Sequence, residues 1–271
     1  MRGPPRELVA LAALLASAVA LGQPPAKPKP SAPSRYAGYV HRWHAASDAA
    51  PVIDEAGRRE LVLVSLNTED HAELRAATDQ GGFAASDLDR ASLVLRDTQA
   101  GNTHPVEPRL LDLAYAIEIH FQARELRVLS GYRTPRRKGA SNHGRGRAMD
   151  IVVPGATDAD VAAYARTLGF VGVGIYPTSG FVHVDLRDRS YFWSDSSGPG
   201  RKNRERGILG DLAAASDKDA VARGDRPPPP LSVGFDVDAA LRARGAASSA
   251  GIAPMGSDED EDDMDDAAGA P

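Results

Sequence analysis

The chain of 271 residues contains no cysteine. That excludes a disulfide framework and any metal site built from thiolates. Nor does it hold an apolar run long enough to span a membrane comfortably. The longest, Leu8 to Leu21, falls short of the about 20 residues a bilayer crossing requires, and no cysteine follows it to carry a lipid. An excess of basic charge is also missing. The formal net charge is −5, and residues 258–266 alone carry eight acidic groups, so the rest of the chain is close to neutral. This leaves neither a nucleic-acid footprint nor a polybasic membrane face. The acidic run lacks the glycine and the closing glutamate of a calcium loop and reads as a solvated tail. No internal repeat is found.

What is present begins with a leader. Arg2 and Arg6 precede the apolar run, and Ser17-Ala-Val-Ala20 or Ala20-Leu-Gly22 offers small residues for cleavage. Residues 1–22 therefore read as a cleaved signal peptide, which implies export, to the periplasm; an uncleaved anchor is the competing reading. Residues 23–35 form a linker rich in proline and lysine. Leu61-Val-Leu-Val64 suits a first strand, and Leu110, Leu111, Leu113, Ala114, Ile117 and Phe121 make one buried stripe of a helix over Glu107–Gln122. Leu126–Leu129 reads as a strand. Thr157 can cap a helix through Leu168, with Gly169 just beyond it. Phe170–Tyr176 and Gly180–Arg187 read as strands joined by a Pro-Thr-Ser-Gly turn. These elements predict one α+β domain over 36–195, a small antiparallel sheet flanked by helices. After Ser194 glycine, proline and charge dominate, so 196–271 reads as a low-complexity tail with little order, including a stiff Pro227–Pro230 piece.

The chemistry concentrates in Ser141-Asn-His143-Gly-Arg-Gly146-Arg-Ala-Met-Asp150 and in Phe181-Val-His183-Val-Asp185. Strand alternation sends Met149, Ile151 and Val153 to one face and Asp150 to the other; likewise Val182, Val184 and Leu186 oppose His183 and Asp185. The glycines after His143 allow a sharp turn that can swing a loop histidine over a strand carboxylate. Two imidazoles and one carboxylate are the ligand chemistry of a catalytic zinc ion with one position open. The competing reading is a polar strand face that happens to carry these residues.

At these residues the chain resembles the zinc peptidases that share a fold with D-alanyl-D-alanine carboxypeptidases and the hedgehog signalling domain. Their pattern is Ser-x-His-x-x-Gly-x-x-x-Asp with a later histidine, and Gly146 is the matching glycine. The likeness is greatest to the murein endopeptidase K branch, through Leu95-Arg-Asp97, Ser130-Gly-Tyr-Arg-Thr-Pro135, Gly172-Val-Gly-Ile-Tyr176, His183-Val-Asp185 and Tyr191-Phe-Trp193. It covers roughly 59–195. The resemblance implies one Zn²⁺ per chain on His143, Asp150 and His183, on the open face of the sheet, with Arg133 placed near the metal to stabilise charge on the substrate. It implies an endopeptidase acting on peptidoglycan peptide cross-links, between diaminopimelate residues in that branch. The competing functions are a D,D- or L,D-carboxypeptidase trimming stem peptides and an inactive, zinc-stabilised cell-wall binding module.

One position departs from the wider pattern. Relatives that act as carboxypeptidases carry an acidic base three residues before the second histidine, where this chain has Gly180. Asp185 shares a strand face with His183 and either handles protons in catalysis or orients a ligand. Ser141 can contact substrate or brace the loop. Tyr176 is a further candidate substrate contact, although Tyr132, Tyr176 and Trp193 are residue types that more often pack. His41, His44, His71, His104 and His120 have no comparable partner pattern and are not expected to be ligands.

Overall fold

A computed structural model describes residues 34–135, 141–199, 201 and 207–227. Residues 1–33, read above as a signal peptide and the larger part of a linker, and the acidic run at 258–266 lie outside the described residues.

The elements in order are α1 (Ser34–His44), β1 (Leu61–Ser65), β2 (His71–Leu74), β3 (Ala76–Thr78), β4 (Gly81–Phe83), α2 (Ala85–Val94), α3 (Pro108–Phe121) and β5 (Leu126–Ser130). A 3-10 turn (His143–Arg145) follows, then β6 (Ala148–Val152), α4 (Asp158–Ala165), β7 (Val171–Tyr176), β8 (Phe181–Leu186), β9 (Tyr191–Ser194), β10 (Gly207–Ile208) and α5 (Gly210–Arg223). Eight strands form one sheet in the order β10-β9-β7-β8-β6-β5-β1-β2, while β3 and β4 pair separately. The α+β class holds, but the sheet is neither small nor purely antiparallel. β1 runs parallel to β5, because α2 and α3 between them provide the crossover such a pair needs, and β9 runs parallel to β7.

Alternation sorts the two faces of the sheet. Leu61, Leu63, Leu126, Val128, Met149, Ile151, Val173, Val182, Val184 and Phe192 pack with the buried residues of α2, α3 and α4 in the main core. Every residue of β6 and β8 is buried, as central strands covered on both faces must be. Thr157 caps α4 by accepting from Asp160 N–H, at 3.1 Å, a contribution of about 1 kcal/mol.

The opposite face is not open throughout. Tyr36 and Trp43 of α1 pack there on Leu129, Val152, Tyr176, Phe181 and Trp193. Three fastenings hold α1 in place. Arg127 donates to the carbonyls of Arg42, Trp43 and Ala45 at 2.8–3.0 Å. His44 meets Asp158 at 2.9 Å, and Tyr36 Oη donates to Ser179 O at 2.7 Å.

The chain also keeps folding past residue 195, where the sequence had suggested little order. β10 pairs with β9, and α5 buries Ala213, Ser216 and Ala220. Asp217 of α5 accepts from Phe170 N, Ser190 N and Ser190 Oγ at 2.6–2.9 Å. The buried side of α5 is made of small residues because it lies very close to the sheet connection: a Cβ added at Gly169 would sit 2.3 Å from Ala220 Cβ. No helix among the described residues is long and apolar enough to cross a membrane.

Candidate metal centre

One row of paired residues crosses five strands on the α1 face: Ser130 opposite Asp150, Asp150 opposite His183, His183 opposite Gly174, and Gly174 opposite Trp193. A bulge between Val128 and Ser130 gives this register on β5. A second row places Ala148, Asp185, Gly172 and Tyr191 side by side. Strand pairing alone therefore sets Asp150 against His183.

His143 joins them from the 3-10 turn. That turn closes on Gly146, whose φ of +65° favours glycine, and a Cβ there would lie 2.3 Å from Pro105 O. His143 Nε2 lies 3.1 Å from His183 Nδ1 and 3.5 Å from Asp150 Oδ1, and His183 Nδ1 lies 3.0 Å from the same oxygen. His143 and Asp150 are 1% exposed, and His183 is 0% exposed.

The outer nitrogens decide what these inner atoms carry. His143 Nδ1 faces Gly131 O, which can only accept, so Nδ1 bears the proton. His183 Nε2 meets Asp185 Oδ2 at 3.0 Å and donates to it. Both inner nitrogens are then unprotonated and face each other and a carboxylate oxygen. Three acceptor atoms this close form a cluster able to hold a metal ion. Their spacing fits a divalent ion as well: bonds of about 2.1 Å in tetrahedral geometry place ligand atoms about 3.4 Å apart, against the observed 3.0–3.5 Å. Among the described residues, these three are the cluster able to hold a metal ion.

A second layer holds the first. Asp185, itself 0% exposed, accepts from Gly172 N at 3.0 Å and from Arg187 Nε and Nη2 at 2.7 Å each. Burial pushes its carboxyl up, but the Arg187 charge and the His183 bond outweigh it, so the group lies well below the usual carboxylate range. Trp193 leans on the His183 ring, with centroids 5.1 Å apart.

Arg133 donates through Nε to Ser130 Oγ at 2.9 Å and through Nη2 to Asp150 Oδ2. Burial pushes the Asp150 carboxyl up, but the Arg133 guanidinium on its Oδ2 helps to hold it well below the usual carboxylate range. The Leu95-Arg-Asp97 motif braces this loop. Leu95 O accepts from Tyr132 N at 2.6 Å, and Asp97 accepts from Thr134 N at 2.8 Å. Burial works against the Asp97 charge, yet bonds from Thr134, Gln99 and Ala100 bring its pKa to about 2.

Sequence reasoning missed Ser130, Arg187 and the purpose of Gly172 and Gly174. A Cβ at Gly172 would meet Asp185 Oδ1 at 2.3 Å, and one at Gly174 would meet the Trp193 indole at 2.3 Å. The bare β7 surface is the bed on which those side chains lie. The signals were legible: Arg187 continues the His183, Asp185 alternation, and the two glycines are two residues apart on a strand.

Of the two further candidate contacts, Tyr176 packs inside the protein and Ser141 takes the bracing role that the sequence left open. Tyr176 is 3% exposed, stacked on Phe181 and accepting from Trp193 Nε1 at 3.0 Å, so it belongs to the aromatic packing under α1 rather than to a substrate surface. Ser141 Oγ accepts from Gly144 N at 3.4 Å, which braces the turn. His41 and His71 are exposed, His44 binds Asp158, His104 stacks on Tyr132 and His120 on Tyr164.

Residues 54–190, just over half of the chain, match the family model described as peptidoglycan L,D-endopeptidase MepK. The chain belongs to this family. The match takes in His143, Asp150, His183, Asp185, Arg187, Arg133 and the Leu95-Arg-Asp97 brace; α1, β9, β10 and α5 lie outside it. One similar relative is the probable peptidoglycan L,D-endopeptidase MepK of Haemophilus influenzae, 32% identical over 117 residues; the match covers 38% of this chain and 63% of that protein, less than two thirds of its length. Another is the peptidoglycan L,D-endopeptidase MepK of Escherichia coli strain K12, 29% identical over 139 residues, covering 47% of this chain and 76% of the relative. No solved structure matches this chain significantly.

Proposed function

We propose that this chain is a zinc-dependent murein endopeptidase that hydrolyses peptide cross-links of peptidoglycan in the cell envelope. The observation that carries the reading is the convergence of one ligand atom each from His143, Asp150 and His183, spaced as tetrahedral ligands would be. Two imidazoles and a carboxylate, with no thiolate, suit zinc with one position left for water. The names of the relatives support the substrate class, and the leader at residues 1–22 supports export.

Bound zinc supplies Lewis acidity and brings the pKa of a water it holds down to about 7, so a strong protein base is not required. The protein's own groups do the rest. Arg133, whose side chain is 13% exposed, is fixed on Ser130 and Asp150 with donors in a planar fork. It is suited to stabilise charge developing on the scissile carbonyl oxygen. Asp185 lies behind His183, on the nitrogen turned away from Asp150 and His143, and its oxygens accept from Arg187 and Gly172. Its role is to orient His183 rather than to carry protons.

One observation favours a second reading, a zinc-stabilised binding module. Gly180 stands where a base would be, and even a Cβ there would meet Val40 of α1 at 2.4 Å. Incubating the purified full chain with sacculi and identifying products by mass spectrometry separates the readings. An endopeptidase converts cross-linked muropeptide dimers to monomers. Shortened stems with cross-links intact would indicate a carboxypeptidase, and binding without release would indicate the module.

A further inference from the structure

We infer that Arg187 is a positioning residue of the metal centre, clamping Asp185 so that His183 keeps an unprotonated Nδ1 aimed toward His143 and Asp150, where the metal would bind. The inference rests on the metal-site reading and extends it by one layer.

The geometry is that of a built support. Nε and Nη2 of Arg187 engage both oxygens of Asp185 at 2.7 Å, a planar two-point match that a lysine cannot reproduce. Asp185 Oδ2 passes the constraint on to His183 Nε2 at 3.0 Å. The guanidinium is itself held, its carbon 5.2 Å from the Tyr191 ring centre and 5.7 Å from that of Trp193. Trp193 in turn lies against the His183 ring. The backbone has made room, since a Cβ at Gly172 would lie 2.4 Å from Arg187 Nε. Arg187 N donates to Phe170 O at 2.9 Å, and Ser190, three residues on, is fastened by Asp217 of α5. The turn that carries Arg187 is therefore anchored at both ends.

Most surface ion pairs contribute little. This one differs because its carboxylate is wholly buried and touches a ligand. Removing the guanidinium would leave an uncompensated buried charge, the costly way to break such a pair. It would also upset a charge balance. Asp150 is matched by Arg133 and Asp185 by Arg187, so these four side chains sum to zero. The charge of a bound divalent ion is then not offset by them and remains available to polarise water and substrate.

The test uses the full chain as wild type, Arg187→Ala, Arg187→Gln and Arg187→Lys. Zinc affinity is measured by competition with a chromophoric chelator, the cobalt(II) visible spectrum is recorded, and folding is checked by circular dichroism. Loss of an outer-layer partner typically weakens metal binding about 10–100-fold. That loss is expected for Arg187→Ala and Arg187→Gln, with an altered cobalt band, and an intermediate value for Arg187→Lys. Arg187→Gln keeps much of the volume and carries the test if Arg187→Ala does not fold. A folded Arg187→Gln with wild-type affinity and an unchanged cobalt spectrum overturns the inference while leaving the metal reading intact. A wild-type chain that binds no zinc overturns both.

Discussion

Gly172→Ala adds a single methyl group on a strand, at an ordinary backbone angle, yet it should be among the most damaging small changes available. The new Cβ would lie 2.3 Å from Asp185 Oδ1 and 2.4 Å from Arg187 Nε. Ordinary contact distances are about 1 Å longer, and the guanidinium can swing aside. Asp185 cannot, because moving it breaks its bonds to Gly172 N–H and His183 Nε2. Overpacking typically costs about 1–3 kcal/mol, and an orphaned buried polar group about 1–3 kcal/mol more. The sum, about 2–6 kcal/mol, corresponds to a melting temperature lowered by roughly 5–20 °C for a domain of this size. Zinc affinity should fall with it, since His183 loses its support. Gly210→Ala is the control: no heavy atom lies within 4 Å of its added Cβ, at the start of α5, and it should melt at the wild-type temperature or slightly above. Calorimetry and zinc competition on the three proteins decide the matter. If Gly172→Ala melts within about 2 °C of wild type and binds zinc equally well, the packing argument for β7 is wrong.

Three further expectations follow from the same structure. Arg133→Ala should reduce kcat by about 10²–10³, the usual cost of one lost oxyanion donor, while metal analysis still finds one zinc per chain; an unchanged kcat removes Arg133 from the chemistry. Asp185→Asn should weaken zinc binding about 10–100-fold, and a variant that keeps full zinc affinity but shifts the acid limb of the pH profile would return Asp185 to a proton-handling role. Glu118, buried on α3 and accepting from Val62 N at 3.0 Å, has its pKa pushed up to about 8 by burial, with Arg59 and Arg124 opposing. Its proton is retained in the folded state and released near pH 4.5 in the unfolded chain. Stability is therefore full below about pH 4.5 and declines as pH rises toward 8, a slope that Glu118→Gln should flatten in denaturation curves taken at pH 5 and pH 8.

Much of the centre was legible because strand periodicity is a strong signal. Met149, Ile151, Val182 and Val184 lie on the core face, and Asp150, His183 and Asp185 share the other, as alternation required. Thr157 caps its helix as read, although α4 ends at Ala165 rather than Leu168. What escaped was the material that packs through unusual means. α5 buries alanines and a serine, so no apolar stripe marked it. α1 is a short helix whose two buried aromatics, Tyr36 and Trp43, pack on strand residues from Leu129 to Trp193, more than 80 residues further along the chain, as well as on each other. The parallel pairing of β1 with β5 is a property of the crossover, which no local pattern encodes. The role of Asp185 could not be decided from spacing either. A strand neighbour two residues away faces the same side, but only the structure shows which imidazole nitrogen it meets.

The most direct test is a zinc titration of metal-stripped protein, with bound metal and muropeptide release from sacculi followed in parallel. Release should rise in proportion to occupancy and level off at one zinc per chain, with His143→Ala and His183→Ala failing on both counts. Release that proceeds at full rate without bound metal, or stoichiometric zinc binding that survives the loss of either histidine, would contradict the zinc reading.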